Sequence, residues 1–253
     1  MKKKTIQEIK HLLFQPQSID ETLIAQLKQD ERKGVQKLLQ QYEQRQKKTA
    51  AERQAFLDKR TFDQQQAART MGIAGIDEVG RGPLAGPVVA AAVVLDEETL
   101  YPGLTDSKAL SLKRRLELDK QIRERSLVGV AEATPAEIDR YNIYKATQLA
   151  MKRAVEKLSV APQYLLVDAM HVPVEVPQQK IVKGDLKSAS IAAASIVAKV
   201  YRDRYMEELA TSFPDYGFER NMGYGTSEHL EAIRKTGVCH AHRRSFQPVA
   251  EHL

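Results

Sequence analysis

Apolar positions fall in two different rhythms along this chain. Up to about residue 69 they are sparse: Ile24, Leu27, Leu38, Leu39 and Tyr42 make an incomplete stripe at helical spacing, set among Gln, Lys and Glu and interrupted at Gly34. With one early proline and no strand-like run, residues 1–69 read as an N-terminal helical extension, its stripe too thin for a coiled coil. Ser18-Ile19-Asp20-Glu21 has the form of a capping box, with Ser18 placed to bond an early amide and Glu21 to reach back.

From Gly72 onward short apolar runs take over, near residues 73–77, 87–95, 127–133, 164–168 and 179–183, and they predict five strands. The first three have little helix between them, which suits an antiparallel meander; the later ones alternate with helical segments, as βα crossovers do. The fold class is therefore α/β, a mixed five-stranded sheet flanked by helices over residues 70–253, without a doubly wound pattern. A helix beginning around Ser188 is built from Ala189, Ser190, Ala192, Ala193, Ala194, Ser195 and Ala198, so one of its faces can approach its neighbours closely.

At 253 residues and 42% hydrophobic composition the chain can bury a full core. Through Thr70 it carries 15 Lys and Arg against 9 Asp and Glu; the remainder carries 24 of each, so the whole formal excess of +6 sits in the extension. A basic appendage on a neutral domain points to a polyanionic partner, with a solubilising helical surface as the alternative. Met1-Lys2-Lys3-Lys4 imitates the start of a secretory signal, but Gln7, Glu8, Lys10 and His11 interrupt the apolar segment that should follow, so no export is expected. No apolar run approaches membrane-spanning length, and the single cysteine, Cys239, has no intrachain partner. A monomer in a reducing cytoplasm is the expected form.

The densest chemistry lies in Gly75-Ile76-Asp77-Glu78-Val79-Gly80-Arg81-Gly82, where two adjacent carboxylates end an apolar run and an Arg framed by glycines follows. Adjacent acids repel, and a cation relieves the repulsion. Leu165-Leu166-Val167-Asp168 and Lys183-Gly184-Asp185 each bring one more carboxylate, so Asp77, Glu78, Asp168 and Asp185 make a candidate oxygen-ligated divalent metal site. Singly, Asp168 could cap a turn, and Asp185 could stabilise the N-terminus of the Ala/Ser helix, whose dipole would keep it ionised. Gly80-Arg81-Gly82-Pro83-Leu84-Ala85 matches a dinucleotide-binding pattern in form only, because Pro87 and a strand-like run over residues 88–94 stand where a helix must open.

The glycines instead let backbone amides approach a ligand closely, and Arg81 adds a fork of donors suited to phosphate or sugar oxygens. Asp106-Ser107-Lys108 precedes a Lys- and Arg-rich helix, which Asp106 or Ser107 would cap, leaving Lys108 for a phosphate. Tyr224, between Gly223 and Gly225, is placed to stack on a sugar or base. Cys239, His240 and His242 lie close together but lack a second pair at zinc-finger spacing, and His229 has no assigned role. No Cys or Ser nucleophile is evident, so metal-assisted hydrolysis fits better than covalent catalysis.

Taken in order, the Gly75 to Gly82 segment, Asp106-Ser107-Lys108, Val167-Asp168, Lys183-Gly184-Asp185 through Ala198-Lys199, and Gly223-Tyr224-Gly225-Thr226 closely resemble bacterial ribonuclease HII. The resemblance covers about residues 72–247 and ends in His242-Arg243-Arg244-Ser245-Phe246. It implies a ribonuclease H-like fold and endonucleolytic hydrolysis of the RNA strand of RNA/DNA hybrids. It also implies cutting on the 5′ side of single ribonucleotides embedded in duplex DNA, with 5′-phosphate and 3′-hydroxyl ends, as ribonucleotide removal requires. By the same resemblance Asp77, Glu78, Asp168 and Asp185 are catalytic ligands of Mn²⁺ or Mg²⁺, with two ions roughly 3.5 to 4 Å apart. Gly80, Arg81 and Gly82 match the loop that senses the ribose 2′-hydroxyl, and Tyr224 the residue that stacks at the RNA-to-DNA junction.

The sister family, ribonuclease HIII, is the near alternative, but it usually carries Lys where Arg81 stands and a sheet-containing N-terminal domain. A noncatalytic hybrid-binding module is a second class, which the intact acids argue against. Leu13-Phe14 faintly resembles a sliding-clamp peptide, although Lys10 occupies the position expected to hold glutamine.

Overall fold

The computed structural model describes residues 4–15, 20–67 and 72–253, and its contacts divide the chain into two units, residues 1–55 and 56–253. In the first unit α1 (Ile6–Phe14), α2 (Glu21–Lys28) and the start of α3 (Lys33–Gln66) enclose Ile9, Leu13, Leu27, Val35, Leu38 and Leu39, with Ile24 and Tyr42 at the edge. The thin stripe is one wall of this small core, and its break falls at residues 29–32, between α2 and α3, with Gly34 in the first turn of α3. Ser18 lies outside the described residues; Asp20 caps α2, accepting from the Thr22 amide at 2.9 Å. A capping box does form at α1, where the Glu8 amide donates to Thr5 at 3.2 Å and the Thr5 amide to Glu8 at 2.7 Å. Leu13 is buried and Phe14 packs against the same cluster, so that dipeptide is committed to the fold of this unit.

In the second unit β1 (Ile73–Val79), β2 (Val88–Val94), β3 (Leu127–Ala133), β4 (Tyr164–Asp168) and β5 (Gln178–Ile181) form one sheet in the order β3-β2-β1-β4-β5. The first three pair antiparallel and β4, reached through a helix, runs parallel to β1 as predicted; β5 runs parallel to β4, but residues 169–177 between them hold no helix, against the expected alternation. Helices α4 (Leu112–Arg125) and α5 (Pro135–Glu156) flank the meander, and α6 (Gly184–Lys187), α7 (Ala189–Ser212), α8 (Phe218–Asn221) and α9 (Ser227–Thr236) follow the last strand. Within α5, Asn142 at φ 67° interrupts the helix, and its side chain then accepts from the Tyr144 and Lys145 amides to restart it.

Strand β2 is Val and Ala throughout because both its faces are covered. Val88, Ala90 and Ala92 join a core with α5, whereas Val89, Ala91 and Val93 join another with α4, α7 and Phe56 of α3. The Ala/Ser face of α7 lies directly on β1: a Cβ at Gly75 would stand 2.0 Å from the Ser190 carbonyl carbon. That approach sets the depth at which the next residues of β1, Asp77 among them, meet α7. Among the described residues no helix is long and apolar enough to cross a membrane.

Candidate active site

Asp77 and Glu78 lie near the C-terminal end of β1, Asp168 ends its parallel neighbour β4, and Asp185 sits in α6, shortly after β5. Parallel pairing makes the two strands deliver their acids to the same edge of the sheet. Burial, then the negative charges of Glu78 and Asp168, push the Asp77 carboxyl well above the usual carboxylate range. Glu78 is raised chiefly by burial, with Arg81 opposing and Asp168 adding. Asp168 is also raised by burial, opposed by the Gly184 amide that donates to its Oδ1 at 2.7 Å, with Asp185 adding.

The four acids are thus successive neighbours, although among the described residues no three His, Cys, Asp or Glu side chains close on one point as a ready metal cage. Glu78 Oε2 is buried without a hydrogen-bond partner. A buried anionic oxygen with no donor is an unmet demand for positive charge. Repelling oxygen donors of this kind fit a hard divalent ion.

Two serines hold Asp77 in place. The Glu78 amide donates to Asp77 Oδ1 at 2.8 Å, the Ser195 hydroxyl bonds the same carboxylate, and Ser107 Oγ stands 3.0 Å from Ser195 Oγ. Asp106 does not cap the Lys- and Arg-rich helix, nor does Ser107. Asp106 instead caps the 3₁₀ turn Ser107–Ala109, while Ser111 caps α4 with a bond from the Arg114 amide at 3.3 Å. The turn seats Ser107 against α7 and leaves Lys108 exposed, close enough to lower the Asp168 carboxyl.

Asp185 also differs from expectation. It lies within α6, and the α7 cap is Ser188, which accepts from the Ile191 amide at 3.1 Å. The carboxylate that meets the N-terminus of α7 is Asp63 of α3, accepting from the Ser190 amide at 2.9 Å, with burial pushing it up to about 6. One turn before it, the Lys59 ammonium donates to the Asp185 carbonyl at 2.8 Å. Both residues lie in the segment that reads as extension, where the available signal was Phe56, Lys59 and Asp63 recurring at helical spacing in a polar stretch.

The loop after β1 opens at Gly80, with φ 90°, where a Cβ would fall 2.2 Å from Arg202 Nε. Arg81 leans back to Glu78 at 3.5 Å with 43% of its side chain exposed. A contact this long and half exposed on the arginine side leaves other guanidinium donors for a ligand. Tyr224 is exposed, and its ring lies 3.7 Å from where a Gly82 Cβ would stand. Arg81, Gly82 and Tyr224 therefore share one surface, joined to the acids through Glu78, with Gly80 buried beneath it.

Behind Tyr224, the buried rings of His229 and His242 meet with their Nε2 atoms 3.0 Å apart. The Cys239 amide donates to His242 Nδ1 at 3.0 Å, so the His242 proton sits on Nε2 and is donated to His229. His229 then donates from Nδ1 to the Tyr224 carbonyl at 2.9 Å. His240 lies apart, its ring packed on Phe213.

This one-way chain requires neutral rings. Burial, with His229 alongside, pushes His242 down to about 4, and burial lowers His229 as well. A histidine held below its unfolded value stabilises the fold fully above about pH 6.5, and that contribution is lost as pH falls towards about 4. Folding stability is expected to drop by about 3 kcal/mol across this window on account of His242. Denaturant titrations of His242→Gln should show a flatter pH dependence than the native chain; an equal slope would contradict the assignment.

The fold is ribonuclease H-like. The crystal structure of the ribonuclease H2 from Pyrococcus horikoshii OT3 matches with a TM-score of 0.61 at 27% identity, over 71% of this chain and 95% of that one. The Archaeoglobus fulgidus ribonuclease HII in a structure of the PCNA:RNase HII complex matches with a TM-score of 0.59 at 27% identity, over 70% and 96%. Family models described as Ribonuclease HII and Ribonuclease HII N-terminal domain match residues 74–249 and 5–67. The ribonuclease HII of Lactobacillus delbrueckii subsp. bulgaricus is 53% identical over 247 residues, 97% of this chain and 96% of that relative. The chain belongs to the ribonuclease HII family, and it is an endoribonuclease acting on the RNA of RNA/DNA hybrids.

Proposed function

We propose that this chain is a divalent-metal-dependent junction ribonuclease in the cytoplasm, cutting on the 5′ side of single ribonucleotides in duplex DNA as well as within longer hybrids, and so serving ribonucleotide removal. The observation that carries this is the placing of Asp77, Glu78, Asp168 and Asp185 at one sheet edge, next to a glycine-framed loop and an exposed tyrosine. Asp77, Glu78, Asp168 and Asp185 would hold Mn²⁺ or Mg²⁺, which when bound supply charge neutralisation at the phosphodiester and a more acidic water. Arg81 and Gly82 offer exposed donors for a sugar oxygen, with Gly80 shaping the loop beneath them, and Lys108 offers a phosphate contact. Tyr224 offers a face on which the nucleotide beyond the cut can stack.

Cleavage of a labelled duplex holding one ribonucleotide, against an all-DNA control and a long hybrid, tests the reading. A single 5′-side cut, leaving a 3′-hydroxyl and absent from the control, is expected. Cleavage of the long hybrid alone would remove the junction activity. Intact substrate despite tight binding would favour a noncatalytic module.

The helical extension, residues 1–69, is proposed to strengthen binding through its excess of positive charge. Residues 56–66 pack in the second unit, so the deletion that tests the idea ends at Ala55 and removes 12 Lys and Arg against 7 Asp and Glu. Binding at low salt should weaken by about tenfold, and its salt dependence should flatten because fewer counterions are released. Affinity unchanged from the full chain's at both low and high salt would remove the idea.

A further inference from the structure

Two of the largest fully buried side chains in the molecule are arginines, Arg202 of α7 and Arg243 near the C-terminus. Buried guanidinium groups normally face carboxylates, since an isolated charge in a protein interior costs several kcal/mol. Among the described residues neither of these forms an ion pair. Asp203, beside Arg202 in sequence, is taken by Lys199 and Arg115, and Asp139 by the amides of Arg244 and Ser245.

Their partners are backbone carbonyls. Arg243 donates from Nη2 to Gly80 at 2.5 Å, from Nη1 to Arg81 at 2.9 Å and from Nε to Gly86 at 3.0 Å. Arg202 donates from Nε to Pro87 at 3.0 Å, from Nη2 to Ala85 at 3.2 Å and from Nη1 to Met222, two residues before Tyr224, at 3.0 Å. The two cations raise the cost of each other's burial, and no single-carbonyl contact would offset it. Every one of these bonds lands on the loop after β1 or on the approach to Tyr224.

Peptide planarity gives the arrangement its consequence. In a trans peptide the carbonyl of one residue and the amide of the next point in opposite directions. Gly80 and Arg81 carbonyls turned inward to Arg243 therefore turn the amides of Arg81 and Gly82 outward. Both residues are exposed, and among the described residues neither amide has a turn or loop backbone acceptor.

Resting on the reading of this loop as the sugar-sensing one, we infer that Arg243 and Arg202 are positioning residues for ribose recognition, pinning loop carbonyls inward so that the Arg81 and Gly82 amides face the 2′-oxygen of the nucleotide at the cut. Arg243 aims the amides; Arg202 ties the same loop to the Met222–Tyr224 segment. A lysine in either place cannot span the carbonyls with its single ammonium, because it lacks the planar fork.

The test compares the full chain with Arg243→Gln and Arg243→Lys. Binding of a duplex with one ribonucleotide and of the same all-DNA duplex is measured by anisotropy in EDTA, and cleavage of the first in Mn²⁺. Arg243→Gln should lose the preference for the ribonucleotide duplex and roughly 10²-fold in kcat/KM, because a misaimed loop misplaces the substrate. Affinity for the all-DNA duplex should change by less than about twofold, since phosphate charge dominates it. Arg243→Lys should fall between the two. A variant whose Tm drops while its folded fraction keeps the full ribose preference would overturn the inference. Should Arg243→Gln not fold, the ¹⁵N spectrum of the native chain decides: the Arg81 and Gly82 amide signals should shift with the ribonucleotide duplex and not with all-DNA, and equal shifts would overturn the role. A native chain without any ribose preference would instead sink the functional reading itself, and the inference with it.

Discussion

Asp77→Asn is expected to lower kcat/KM by roughly 10³-fold, the rate equivalent of several kcal/mol of lost charge stabilisation, while leaving the protein at least as stable as before. The two effects share one cause. Asp77 is buried beside Glu78 and Asp168, and the fold pays to keep like charges together there. Asparagine has the same shape, and its Oδ1 can still accept from the Glu78 amide and from Ser195. One repelling charge disappears without a cavity, so Tm should hold or rise by a few degrees, about 2 to 4 °C per kcal/mol in a unit of this size. Added Mn²⁺ should raise the Tm of the native chain by mass action on the folded state and do so far less for Asp77→Asn. Paired thermal-shift and cleavage measurements check both halves. Full activity in the variant, or an equal Mn²⁺ shift in both proteins, would remove Asp77 from the ligand set.

Gly75→Ala is expected to have the largest effect on folding. The added Cβ would stand 2.0 Å from the Ser190 carbonyl carbon and 2.2 Å from the Ile191 nitrogen, both backbone atoms of the first turn of α7. Side chains can rotate away from a clash; a helix backbone cannot. Relief requires α7 to withdraw from β1, opening the core that Ala192, Ala193 and Val197 fill. A loss of about 4 kcal/mol or more follows, enough to leave little folded protein at 37 °C. The same withdrawal would carry Ser195 away from Asp77, so whatever fraction folds should also cleave poorly. Gly82→Ala is the control: its Cβ would meet only the Tyr224 ring, at 3.7 Å. Denaturation midpoints should separate the two variants widely, and a Gly75→Ala chain as stable as the native one would contradict the packing of β1 on α7.

Those two positions also show which features are local. That a strand forms here follows from the apolar run over residues 73–77; that it tolerates nothing larger than glycine at its third residue depends on a helix more than a hundred residues later. The caps around Asp106 depart from their local pattern for a related reason. Asp106, Ser107 and Ser111 are all good caps by composition, and only the 3₁₀ turn that Ser107 makes against Ser195 decides that Asp106 serves the turn and Ser111 the helix. Likewise Asp185 reads as the acid before a helix, but the chain folds it into the short α6 that precedes α7, and Asp63 takes the place at the α7 N-terminus from a distant segment.

The amino-acid pattern by itself determined the five strands and their mixed pairing, the small-residue helix, the four carboxylates and the glycine-framed loop, because period, turn chemistry and motif order are written in neighbouring residues. Only the tertiary structure decided which groups support them. Lys59 against the Asp185 carbonyl, Ser107 and Ser195 behind Asp77, the His229–His242 chain beneath Tyr224, and two arginines buried among loop carbonyls each join residues from remote segments. Nothing in a local pattern marks such residues, since a serine, lysine, histidine or arginine looks like surface until the fold buries it. The physical reason is burial itself: a polar group removed from water must find its partner wherever the chain returns, and that return is a property of the packed molecule.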